Sequence, residues 1–214
     1  FNEPIVQLVS THFPSENLVA AISENQYWDN SGLKLDIPQK PLRMALTNDL
    51  RGEKVVVVLA EESTFYIIGE NGVIKTFSLE GSPVTNFSLG KMSPDEEIYI
   101  SVSQDDKIKV VNLAGYPIDN FPFSNEANPE FTGTPLSADI SSSNLFAYST
   151  EGDLYSFNSS AEISESFPLT AGSALSAVPV LFLDGGMQDA ISDQTFSIAA
   201  ITFQNNLFVW DIAG

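Results

Sequence analysis

Cysteine is absent from all 214 residues, which excludes a disulfide framework, a thiolate metal site and a cysteine nucleophile. Basic residues are scarce: 9 Lys and Arg stand against 28 Asp and Glu, for a net charge of −19. Phosphate backbones and anionic lipid surfaces repel such a chain, so nucleic acid and membrane-surface roles are not expected. Histidine occurs once, as His12 in the polar stretch THFPSEN. A Ser-His-Asp triad would have to use it, and it reads instead as a loop residue. No run approaches the roughly 18 apolar residues of a membrane helix. The longest, such as Val55 to Ala60, have the length of a strand. GxGxxG, the Walker loop and HExxH are all missing, which leaves nucleotide and zinc chemistry without support. The chain opens on Phe1 with no initiator Met, basic n-region or signal-like apolar stretch, and is read as a processed or excised piece of something longer.

What the chain does have is core material, at 43% hydrophobic and 11% aromatic residues, and a repeat. Five stretches share one plan of apolar strand, polar turn, second strand and small-residue turn. They are LVAAISENQYWDNSG, VVVLAEESTFYIIGENG, ISVSQDDKIKVVNLAG, LFAYSTEGDLYSFNSSA and IAAITFQNNLFVWDIAG. Their closing small residues, Gly32, Gly72, Gly115, Ala161 and Gly214, lie 40, 43, 46 and 53 residues apart. Hairpins recurring at a period of about 40–50 residues mark a β-propeller with one four-stranded blade per repeat. The strands are short, rich in β-branched and aromatic residues, and bounded by Gly, Asn, Asp or Ser. No sustained 3.6-residue apolar pattern with caps is present, so helix is expected to be minimal. The fold expected is therefore all-β, a propeller of about five four-stranded antiparallel blades.

The approximate repeats are 1–40, 41–88, 89–133, 134–177 and 178–214, all in one array. Proline-bearing segments follow the small-residue marks: LKLDIPQKP, SPVTNFSL, YPIDNFPF and EISESFPL. They suit the outer strand of each blade. Connectors then open the next inner strand with Pro4, Pro41, Pro135 or Pro179, and the junction Ser88 to Asp95 lacks that Pro. The fifth repeat supplies three strands and the first begins on an inner one. The two ends do not complement each other, so an arc of a larger propeller is expected rather than a five-bladed ring. Val6, Leu8, Val209 and Ile212 are then candidates for bare apolar faces.

GYPIDNFPF, TPLSADI and NLFAYSTEGDLYSFN together resemble the bacterial FG-GAP (VCBS-like) propeller repeat. SESFPL with AVPVLFLDGG, and TNDLRGEKVVVVLAEESTFYIIGENG, repeat the likeness in degenerate form. The PQQ-like propellers are the nearest competitor, but their repeated Trp is missing. Val209-Trp210-Asp211 matches a WD dipeptide once only. In the FG-GAP family an acidic loop between the two inner strands often holds calcium through several carboxylates. The matching stretches here begin at Asn48-Asp49, Asp139 and Asp184 and keep little beyond the first Asp. Asp184 with Asp189 is the fullest remnant of a calcium site; the others read as turn-capping residues. No cofactor is expected.

The resemblance implies a non-catalytic, extracytoplasmic module, extracellular, on the cell surface or in the periplasm. It would mediate protein or glycan contacts or space other domains, with further blades or domains of a longer parent chain as neighbours. The alternative is the propeller portion of a secreted glycosidase or peptidase, whose paired acids cannot be told from turn residues in sequence. Tyr27 and Trp28 take a strand position shared by Ile67-Ile68, Val110-Val111, Ser156-Phe157 and Val209-Trp210, and are expected between blades. Tyr116, Phe121 and Phe123 lie on the outer segment, where an aromatic side chain either packs an edge or meets a partner.

Overall fold

The computed structural model describes residues 4–12, 17–48, 53–91, 97–118, 135–141, 144–158, 160–177, 179–183 and 196–212. Within them the chain forms five consecutive antiparallel sheets, the blades of a β-propeller. Blade 1 is β1 (Ile5–His12), β2 (Asn17–Ser23), β3 (Gln26–Asp29) and β4 (Lys34–Asp36). Blade 2 is β5 (Pro41–Asn48), β6 (Lys54–Ala60), β7 (Thr64–Gly69) and β8 (Gly72–Ser78). Blade 3 is β9 (Phe87–Gly90), β10 (Tyr99–Gln104) and β11 (Lys107–Asn112), with one further bridge from Val111 to Pro117. Blade 4 is β12 (Pro135–Ser141), β13 (Asn144–Ser149), β14 (Asp153–Phe157) and β15 (Leu169–Thr170). Blade 5 is β16 (Val180–Leu183), β17 (Phe196–Ile201) and β18 (Leu207–Ile212). The only helical turn among the described residues is a 3₁₀ turn at Glu61–Ser63.

In blade 2 the two central strands bury both faces. Every residue of β6, KVVVVLA, and of β7, TFYIIG, is buried. Because successive side chains point to opposite faces, Val56, Val58 and Ala60 pack against blade 1 and Val55, Val57 and Leu59 against blade 3. The unbroken apolar run thus reflects a two-sided strand. Four apolar clusters join blade 1 to 2, 2 to 3, 3 to 4 and 4 to 5. The remaining faces of blades 1 and 5 carry exposed Val6, Leu8 and Val19, and Val180, Ile201, Leu207 and Val209. The side chain of Ile212 lies outside the described residues.

The small-residue marks close a recurring turn. In blades 1, 3 and 4 the side chains of Asp29, Asn112 and Asn158 accept hydrogen bonds from the backbone N–H groups two and four residues on. Their own carbonyls accept from Gly32, Gly115 and Ala161. Those three residues sit at φ of 94°, 83° and 61°. Each is a turn followed by a left-handed residue, which returns the chain into an outer strand. The hairpin turn of blade 4 uses the same conformation at Gly152, φ 99°. A Cβ there would run into the Ser173 carbonyl, so Gly152→Ala is expected to destabilise by about 2–4 kcal/mol through left-handed strain plus overpacking. Asn205 holds φ 59° at the equivalent turn of blade 5 and is exposed. Asn205→Gly is expected to stay within about 0.5 kcal/mol of the parent, and denaturant unfolding of the two variants measures both changes.

One strand differs from the sequence reading. The segment SPVTNFSL was expected as the outer strand of blade 2, but that strand is β8, GVIKTFS, directly after the mark at Gly72. Its pairing is held by Phe77 stacked on Phe65, centroids 5.2 Å apart, and by Thr64 Oγ1 against Ser78 Oγ at 3.0 Å. Val84 and Phe87 are instead buried between blades 2 and 3, and Phe87–Gly90 opens blade 3. A hairpin through Glu70-Asn71 needs no proline, so the proline cue pointed past the true strand.

Candidate functional site

Strand connections lie at two opposite ends of the blades. The second-to-third strand turns form one end. The Asp/Asn turns form the other. At this second end a groove of about 560 Å³ runs between blades 2 and 3. Its floor is Val55, Ile67 and Ile98, and its wall is Ile74, Lys75 and Tyr116. Ile74 and Tyr116 are 68% and 66% exposed, and Lys75 Nζ stands 5.2 Å over the Tyr116 ring. A second hollow of about 290 Å³ shares Val55 and Ile74 and is rimmed by Glu53 and Glu70. An apolar floor with a few charges at its edge suits a binding contact.

Two carboxylates with altered acidity have structural partners. Asp29 accepts from Tyr27 Oη at 2.8 Å, from Lys54 Nζ at 2.7 Å, and from Ser31 and Leu33. The Lys54–Asp29 pair ties blade 1 to blade 2, its side chains 7% and 0% exposed. Burial works to raise the Asp29 carboxyl, but hydrogen bonds from Lys54, Ser31 and Tyr27 hold it below its ordinary value. Burial, then the bond to Asp29, pushes the Tyr27 phenol upward. Asp105, in the β10–β11 turn, is lowered to about 2 by the Ser82 N–H and hydroxyl and by Lys109. Ser82 lies in the connection out of blade 2, and Gln104 Nε2 bonds its carbonyl at 2.6 Å. This too is a clamp between blades.

Asp49, Asp184 and Asp189 lie outside the described residues, as do Phe121 and Phe123. Asp139 was expected in a loop but lies within β12, opposite Phe146. Among the described residues no three His, Asp or Glu side chains converge to hold a metal. His12 ends β1, opposite Asn17. Tyr27 packs between blades as expected. Trp28, half-buried, pairs with Ala21 on the bare face of blade 1, with Lys34 Nζ 5.9 Å above its ring. The groove was not anticipated apart from Tyr116. Ile74 reads in sequence as one more strand residue, and only blade packing places it beside Tyr116.

No family model matches the sequence, and no curated protein matches it. Solved structures do, and they are β-propellers. The chain superposes on BBS1N, solved in complex with ARL6DN, with a TM-score of 0.67 at 13% identity over 97% of its length. It matches Saccharomyces cerevisiae Sqt1 with 0.68 at 11% over 98%, and the fission yeast SREBP–SCAP binding domains with 0.67 at 13% over 100%. It also matches the WD40 domain of fission yeast SCAP, with 0.62 at 12% over 96%. The class defined by the fold is therefore the β-propeller. The chain spans 65%, 60%, 62% and 52% of those four chains in turn.

Proposed function

We propose that the chain is a non-catalytic propeller module that binds a protein partner through the groove between blades 2 and 3. The observation that carries this is the exposed pair Ile74 and Tyr116 over an apolar floor. Two of the similar propellers were solved together with a protein partner, which supports the reading by analogy of fold. The FG-GAP-like repeats favour an extracytoplasmic setting in a larger surface or secreted protein. On this reading the bare faces of blades 1 and 5 are covered by further blades of the same polypeptide. The test places a photo-crosslinking residue at Tyr116 and identifies what it captures. Tyr116→Ala with Ile74→Ser is expected to weaken that purified partner at least about 10-fold, as for an aromatic hot spot, with an unchanged melting temperature. Equal binding by the double variant would reject the groove. Turnover of chromogenic glycosides or fluorogenic peptides would replace the reading with a hydrolase.

A further inference from the structure

The end face of blade 5 continues the packing of the internal interfaces. Val180, Ala199 and Val209 are direct cross-strand partners, and Ile201 pairs with Leu207. Ile198, Ala200, Phe208 and Trp210 point the other way, into blade 4. The bare stripe therefore occupies the positions that face the following blade elsewhere in the array. Asp211 lies on this same side, paired with Ser197, whose Oγ donates to it at 2.7 Å.

Asp211 also repeats a position already seen. The sequence Asp211-Ile-Ala-Gly214 has the spacing of Asp29-Asn-Ser-Gly32, Asn112-Leu-Ala-Gly115 and Asn158-Ser-Ser-Ala161. The first residue of each lies at the end of its blade's third strand, on the side of the next blade. Where it is Asp29, the next blade begins its second strand with Lys54, and the two form the buried ion pair. Where it is Asn158, the second strand of the next blade begins with a neutral residue, Phe196. Acid meets base and amide meets neutral, because a carboxylate buried without a cation is strongly destabilising.

We infer that Asp211 is the acceptor half of a second inter-blade ion pair, and that the blade seated on blade 5 begins its second strand with lysine or arginine. This rests on the reading that further blades of the polypeptide cover the bare faces, and it names the chemistry of one of them. Blade 1 does not meet the requirement, since its own second strand begins with Asn17. Neither ring closure nor head-to-tail stacking of copies supplies the cation.

A second copy of the chain is the probe, its blade 1 offered to blade 5 and its self-association read by sedimentation velocity. The parent chain sets Asp211 against Asn17 and is expected to associate weakly. Asn17→Lys supplies the cation and is expected to tighten association roughly 10-fold or more, in line with close interfacial charge pairs. Adding Asp211→Asn to it is expected to reverse that gain. Asp211→Asn alone, matching amide to amide, is expected to exceed the parent. Equal association of the parent, Asn17→Lys and Asp211→Asn would overturn the ion-pair assignment, as would a gain from Asn17→Lys that survives Asp211→Asn. Leu8→Glu with Val209→Glu should abolish association in every form. If it changes none of them, the bare faces are not where chains meet, and the reading of covered end faces fails along with the assignment.

Discussion

Replacing Phe65 with alanine is expected to lower stability by about 3–5 kcal/mol. Phe65 is fully buried in β7 and belongs to the cluster joining blades 2 and 3. Its ring stacks on Phe77 of the outer strand at 5.2 Å and meets Phe87 of blade 3 edge-on at 5.5 Å. Truncation therefore opens a cavity and removes two aromatic contacts, each worth about 0.5–1.5 kcal/mol beyond its buried area. Phe65→Leu keeps most of the volume and is expected to cost less than half as much. Denaturant unfolding measures both, and equal losses for the two variants would show that ring geometry rather than filled volume decides.

Lys54→Met is expected to cost about 3–5 kcal/mol, because it leaves the Asp29 carboxylate buried without its cation. The corresponding fall in melting temperature is about 10 °C for a chain of this size. Adding Asp29→Asn should recover most of the loss. Asn112 and Asn158 make the same turn bonds in blades 3 and 4, and a methionine can pack where the lysine stem lay. The pair also predicts a pH dependence. The Asp29 carboxyl is held below its ordinary value of 3.8, so its contribution is present above that value and is lost as pH falls through the folded-state value. The parent's advantage over Lys54→Met should accordingly be full at neutral pH and shrink in strong acid. A constant difference from pH 7 down to acid unfolding would mean that the carboxylate charge is not what Lys54 stabilises.

Much of the architecture is written into local pattern. The five hairpins β2–β3, β6–β7, β10–β11, β13–β14 and β17–β18 are the five repeats seen in the amino-acid order, because apolar strands and turn residues act over neighbouring positions. The marks at Gly32, Gly115 and Ala161 are left-handed for the same local reason. The outer strand of blade 2 is not legible in the amino-acid order because β8 is mostly exposed and carries little apolar alternation. Its place depends on Phe77 finding Phe65.

The sequence alone therefore determined the all-β class, the number of hairpins and the turn chemistry, since each depends on contacts between residues close in the chain. Only the tertiary structure decided which face of each strand meets which blade, that Asp29 belongs with Lys54 25 residues away, and that Ile74 and Tyr116 flank one groove. Those pairings join elements from different blades, and no spacing rule along the chain encodes them. They arise when two-sided strands stack and every buried carboxylate must find a donor.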